Sequence, residues 1–274
     1  MEPRLVSSAV FSIYLARWNL TPDGDAIVTP RARLLPVSYQ GGRAMLKIAT
    51  FASEIRGNRV MAWWGDDPAT GAAPVLAVDG EAILLARSHH PSSLLGLLDE
   101  GRADEAIAVI VATAAALHAP RTSAPPPDLP PLEQWFSDLH SAADRLGGVL
   151  HASAAAAATL LVSSAERVVL HGDLHHENIL DFGDGAWLAI DPKGVVGERA
   201  FDLVHHLFDP DDPNPPNLRL IEQQLALTAD LAGVDSARLR QWLLAWAGLS
   251  AAWWLDDAHG AAPALAVAAA MAGP

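Results

Sequence analysis

Residues 168–180 read VVLHGDLHHENIL, and residues 189–194 read AIDPKG. Asp173, Asn178 and Asp191 form a set within them, with Asn178 five residues and Asp191 eighteen residues after Asp173. Short apolar β-type runs at 168–170, 179–180 and 187–190 flank these side chains, so two loops are expected to meet at one cleft. Phosphoryl transfer needs a carboxylate beside the acceptor hydroxyl and oxygen ligands for a magnesium ion that bridges nucleotide phosphates. Asp173 suits the first role. Asn178, with a neutral carbonyl oxygen, and Asp191, with a charged carboxylate, suit the second.

Outward from these loops the chain divides into two regions. Residues 1–87 are strand-rich. ARLLPVSY, RAMLKIA and the pair VLAVDG–EAILLAR are β-type runs broken by Gly, Asp and Pro, and Gly41–Gly42 marks a hairpin. One helix interrupts them at FASEIRGNRVMAWW, with Ser53 as its expected cap and Gly57 as a weak point. Residues 88–274 are mainly helical. One or two helices start near Ser92, a stiff proline-rich linker covers 120–131, and further helices cover 132–148, 149–164 and 199–208. After a second proline-rich loop at 209–217 the remainder is helical. The expected architecture is α+β, with a small strand-rich N-terminal lobe, a larger helical C-terminal lobe and a boundary near residue 88.

Composition narrows the partners. The chain has 274 residues, no cysteine and a formal net charge of −14. Disulfides, iron–sulfur clusters and thiolate-bound zinc are excluded. A nucleic-acid backbone is a poor partner for such a charge, whereas a cationic small molecule is a good one. An acidic surface that serves solubility alone explains the charge equally well. Residues 1–18 show no convincing signal peptide, and the alanine-rich runs are too short or too polar at their edges to span a bilayer. A cytoplasmic, non-membrane protein is expected.

HGDLHHENIL resembles the catalytic loop of aminoglycoside phosphotransferases and their kinase-like relatives. The string WLAIDPKGVVGERAFDLVHHL resembles the streptomycin 6-kinase branch, also described as aminoglycoside/hydroxyurea antibiotic resistance kinases. WNLTPDGDAIVTPRARLLPV, AMLKIA and MAWWGDD are similar to that branch's nucleotide lobe. The resemblance covers roughly residues 15–260. It implies a two-lobed, protein-kinase-like fold that uses ATP and Mg2+ to phosphorylate a small-molecule hydroxyl, with streptomycin or another aminoglycoside as acceptor. Asp173 matches the family's catalytic aspartate, Asn178 and Asp191 its metal-binding residues, and Lys47 the lysine on the ATP α- and β-phosphates. Glu54 is the candidate partner of Lys47, residues 83–87 match the interlobe hinge, and Asp202 matches an aspartate expected to brace the catalytic loop. One departure is the lack of a G-x-G-x-x-G phosphate loop, for which Asp23–Gly24 and Gly41–Gly42 are poor substitutes.

Simpler roles exist for several of these residues. Lys47 also suits an edge-strand guard, and Glu54 an exposed first-turn acid. His171, His175 and His176 around Asp173 suggest a metal-dependent hydrolase, which leaves the spacing of Asn178 and Asp191 unexplained. His171 is expected to hold the loop by packing and hydrogen bonding. Trp242, Trp246, Trp253 and Trp254 are expected in the core, with one or two of them lining an acceptor pocket. Glu198, Asp209, Asp211 and Asp212 are acids able to attract a cationic acceptor, and Glu177 suits a basic substrate group or plain solvent exposure. Two rival functions stay open: a kinase of another hydroxylated metabolite, and a catalytically weak nucleotide-binding regulator.

Overall fold

The structure is a computed structural model that describes residues 3–65, 69–164, 166–209, 215–255 and 261–273. The N-terminal part contains α1 (Pro3–Arg17), β1 (Thr21–Pro22), β2 (Ile27–Val28), β3 (Ala32–Tyr39), β4 (Gly42–Ala49), α2 (Ala52–Trp64), β5 (Val75–Asp79) and β6 (Ala82–Ala86). Its strands form one six-stranded sheet in the order β1-β3-β4-β6-β5, with β2 also paired to β3. Every pairing is antiparallel. Gln40 and Gly41 close the β3–β4 hairpin with φ of 50° and 82°, the double positive φ that matches the twist of a tight hairpin.

The period of two along β4 decides what each face does. Ala44, Leu46 and Ile48 pack with Phe11 and Tyr14 of α1 in one apolar cluster. Met45 and Lys47, on the alternate positions, line a cavity on the other side. The helix α1 is a correction to the strand-rich expectation for residues 1–87. Its signal is the helical spacing of Phe11, Tyr14 and Trp18. A sheet with one face left bare would expose the cluster that α1 covers.

The larger part contains α3 (Leu94–Asp99), α4 (Ala103–Leu117), α5 (Leu132–Leu146), α6 (Val149–Ser163), β7 (Val168–Leu170), β8 (Ile179–Asp181), β9 (Trp187–Ala189), β10 (Val195–Gly197), α7 (Leu218–Ala232), α8 (Ser236–Trp253) and α9 (Ala261–Ala272). The core gathers around α8, where Trp242, Leu243 and Leu249 pack in one cluster with Phe136, Leu139 and Leu160. Each such fully buried side chain contributes about 1.5–3 kcal/mol. Val60, Met61 and Trp64 of α2 join the same cluster, so α2 ties the sheet to the helical lobe. Among the described residues no helix is long and apolar enough to cross a membrane.

Two short antiparallel pairs, β7–β10 and β8–β9, carry the loops quoted from the sequence. Two local expectations need correction, and the one or two helices expected from Ser92 prove to be two. Phe51 rather than Ser53 occupies the N-cap of α2, and no side chain caps it. The run 92–119 is two helices, with Ser93 capping the first by accepting from the Gly96 amide. Residues 199–208 form two short 3-10 turns, Arg199–Phe201 and His205–Leu207, instead of one helix. Residues 200–208 are all buried, so no apolar stripe distinguishes helix from irregular chain there.

Gly57 sits in the middle of α2 because another backbone lies against it. A Cβ built there would stand 2.0 Å from the carbonyl oxygen of Pro192. Ala is ordinarily better than Gly in a helix by roughly 0.5–1 kcal/mol. At this position the clash reverses the sign: Gly57→Ala is expected to destabilise the protein by ~1–3 kcal/mol, as overpacking does. Pro192 lies between Asp191 and Lys193, so any activity that depends on Asp191 should fall as well. Denaturant unfolding and turnover of the variant check both expectations, and a more stable, fully active variant would contradict them.

Candidate active site

The two quoted loops are stitched together by backbone. The Ile190 amide donates to the Asn178 carbonyl at 2.9 Å, and the Lys193 amide donates to the His171 carbonyl at 2.7 Å. His171 is fully buried and its Nε2–H donates to the Ile190 carbonyl at 2.7 Å. Its Nδ1 accepts from the Asp173 amide at 3.2 Å. Burial pushes the His171 pKa down to about 4, so the ring is neutral and fits one donor and one acceptor. With both nitrogens engaged, His171 offers no ligand to zinc. The hydrolase alternative loses its first histidine, and no cluster of three or more His, Cys, Asp or Glu side chains suits a metal among the described residues.

Asp202 braces the same loop from beneath. Its Oδ2 accepts from the His171 amide and its Oδ1 from the Gly172 amide, both at 2.8 Å. His118 Nε2 lies 2.8 Å from Oδ2. Burial alone would raise the Asp202 pKa, but the hydrogen bond and charge of His118, with lesser help from His171 and His205, hold it below the usual carboxylate range. Gly172, at φ 79°, adopts a conformation that favours glycine, and a Cβ there would meet Trp135 at 2.9 Å.

All five side chains singled out from the sequence converge. Lys47 Nζ lies 2.6 Å from Glu54 Oε2, both side chains are buried, and the ammonium also contacts Asp191 Oδ1. Asn178 Nδ2 donates to the Asp173 carbonyl at 2.8 Å and lies 3.5 Å from Asp173 Oδ2. That bond fixes the amide orientation, and Asn178 Oδ1 accepts no hydrogen bond among the described residues. A neutral oxygen beside the Asp191 carboxylate is a donor set that fits Mg2+. Asp191 has φ 62°, in the left-handed region that Asp visits more readily than most residues. Its burial would raise its pKa, but Lys47 and Lys193 outweigh that and keep it ionised.

Lys193 received no role from the sequence. Its Nζ lies 2.8 Å from Asp191 Oδ2, 3.5 Å from Glu54 Oε1 and 3.6 Å from Asp173 Oδ2. Its position two residues after an acidic ligand candidate was the available signal. Burial would lower its pKa, but Asp191, Asp173 and Glu54 together raise it, so the ammonium is charged.

Two cavities meet at this cluster. One, of about 490 Å³, is lined by Met45, Leu85, Leu180 and Ile190, with Lys47, Glu54, Asn178, Asp191 and Lys193 at its polar end. Leu85, Ala86, Arg87 and Ser88 run along it, where the hinge was expected. The other, of about 690 Å³, is lined by Asp173, His175, Glu177, Trp246, Trp253 and Trp254, among others. Of the four tryptophans considered, Trp242 is core and the other three reach this cavity. Asp209 lines it too, while Asp211 and Asp212 lie outside the described residues. Glu198 is a correction. It is buried in the helical lobe, where it accepts from Arg238 Nε at 2.6 Å and Trp242 Nε1 at 3.0 Å, and it lines neither cavity.

Comparison with known proteins agrees with this geometry. The family model for aminoglycoside/hydroxyurea antibiotic resistance kinases matches residues 17–258. A streptomycin 3''-kinase of Klebsiella pneumoniae is 42% identical over 248 residues, covering 89% of this chain and 91% of that protein. A streptomycin 6-kinase of Streptomyces griseus is 31% identical over 278 residues, covering 94% of this chain and 87% of that protein. Among solved structures, aminoglycoside phosphotransferase APH(4)-Ia in complex with ADP and hygromycin B superposes with a TM-score of 0.69 at 16% identity, covering 96% of this chain and 98% of that one. The fold is thus the two-lobed, protein-kinase-like fold, and this chain belongs to the aminoglycoside/hydroxyurea antibiotic resistance kinase family.

Proposed function

We propose that this chain transfers the γ-phosphoryl group of ATP to a hydroxyl of an aminoglycoside of the streptomycin type. The observation that carries this reading is the position of Asp173. It lines the larger cavity, while the Lys47–Glu54 pair, Asn178 and Asp191 line the smaller one. Residues 1–87 then form the nucleotide lobe, and residues 88–274 the catalytic and acceptor lobe.

The geometry supports a role for each residue. The apolar walls of the smaller cavity hold adenine against residues 85–88, and Lys47, oriented by Glu54, binds the α- and β-phosphates. Asn178 and Asp191 would hold Mg2+, which when bound would neutralise charge on the phosphates. Asp173 orients the acceptor hydroxyl and takes its proton as the new O–P bond forms and the bond from the γ-phosphorus to the β,γ-bridging oxygen breaks, releasing ADP. Trp246, Trp253 and Trp254 offer aromatic faces to a sugar or a cation, and Glu177 and Asp209 add negative charge. The higher identity to the 3''-kinase than to the 6-kinase supports phosphorylation at the 3''-position.

Purified protein with ATP, Mg2+ and streptomycin should yield a phosphorylated antibiotic by mass spectrometry, with fragmentation placing the phosphate. A panel of other aminoglycosides and hydroxylated metabolites belongs in the same assay. A product from another acceptor alone would overturn the streptomycin assignment. ATP binding without turnover on any acceptor would instead identify a nucleotide-binding regulator.

A further inference from the structure

The turn that would cover the nucleotide phosphates has no amide to offer them. Thr29, Pro30, Arg31 and Ala32 line the nucleotide cavity between β2 and β3. Pro30 has no N–H. The Thr29 amide donates to the Ala32 carbonyl at 3.0 Å. The Arg31 and Ala32 amides both donate to Thr29 Oγ1, at 3.3 Å and 2.9 Å. A glycine-rich loop presents a row of free N–H groups to phosphate oxygens, and this turn closes on itself instead.

A second observation concerns the charges at the cavity's polar end. Glu54, Asp173 and Asp191 place three carboxylates around two ammonium groups, Lys47 and Lys193. Lys47 is bound to Glu54 and Asp191 at the nucleotide end. Lys193 and Asp191 line the smaller cavity and Asp173 lines the larger one, so the Lys193 ammonium, in contact with both carboxylates, stands between the two linings. A phosphoryl group that approaches Asp173 brings negative charge toward a carboxylate. A cation at this boundary offsets that repulsion where the transferred group must pass.

We propose that Lys193 is a second phosphate-binding lysine, which contacts the terminal phosphate of the nucleotide and supplies the charge that the closed Thr29–Pro30–Arg31 turn does not. This rests on the phosphotransferase reading and deepens it. Lys193 is a compact point charge on a flexible stem, so it can leave Asp173 and follow the phosphoryl oxygens. A purely structural lysine would neutralise the carboxylates until Mg2+ arrives and then have no further effect.

Calorimetric titration separates these roles. Wild-type protein and Lys193→Met are titrated with MgADP and with the magnesium complex of the non-hydrolysable imido analogue of ATP. Lys193→Met should bind MgADP as wild type does and bind the analogue on the order of 10- to 100-fold more weakly, the loss of one charge-assisted contact. Its kcat should fall by about 10²-fold or more. Parallel weakening of both nucleotides, or no change in either, overturns the proposal. So does retained kcat with a lowered Mg2+ requirement, which would mark Lys193 as a placeholder for the metal. If Lys193→Met loses cooperative unfolding, Lys193→Gln is titrated against the same criteria. Wild-type protein that binds neither nucleotide overturns the phosphotransferase reading itself.

Discussion

Asp173→Asn lowers kcat by about 10²–10⁴-fold, the loss expected when a positioned general base is removed. The KM for MgATP stays within a few-fold, because Asp173 lines the larger cavity and the smaller cavity, proposed for the nucleotide, is built by other residues. The fold is expected to persist. Asp173 holds the loop through its backbone, whose amide donates to His171 Nδ1 and whose carbonyl accepts from Asn178 Nδ2, and asparagine keeps both bonds. Its side chain is 34% exposed, so the uncharged isostere leaves no buried group unpaired. Steady-state kinetics with ATP and the identified acceptor measure the split. Wild-type turnover by this variant would remove Asp173 from the mechanism.

Asp202→Ala is the largest expected loss of stability, about 3–5 kcal/mol. The side chain is fully buried and accepts from two consecutive loop amides while facing His118. Alanine leaves the His171 and Gly172 N–H groups without their acceptor in a dry interior. For a chain of this size the loss corresponds to a fall in Tm on the order of 10 °C. Asp202→Asn should lie between the two, since one of its ends presents an N–H₂ donor to a donor. Activity should fall even below the unfolding transition, because the amides that Asp202 holds position Asp173. Thermal unfolding read beside turnover tests this, and an unchanged Tm in Asp202→Ala would show that the bracing is dispensable.

The relation between these two aspartates shows where sequence reasoning works. Asp173, Asn178 and Asp191 lie within one short stretch whose β-runs and loops are set locally, and the structure gathers them as their spacing implied. The β3–β4 hairpin was equally legible, since a tight turn between alternating runs fixes both register and face. Gly57 counted against the helix it occupies, because helix propensity carries no knowledge of Pro192 on the far side of the fold. Residues 199–208 were misjudged for the opposite reason: 200–208 are buried throughout, and such a stretch has no period to follow.

The sequence by itself determined the class of fold, the loop that carries Asp173 and the apolar strand that carries Lys47. Each depends on a period or a spacing within a few tens of residues. Only the tertiary structure decided that Lys47 meets Asp191 across 144 positions of chain, that Lys193 joins them beside Asp173, that the Thr29 turn has closed its own donors, and that Glu198 is withdrawn into the helical lobe. Those outcomes depend on which surfaces pack together. Packing brings charges separated by most of the chain within a few ångströms of each other, and local sequence records no such distance.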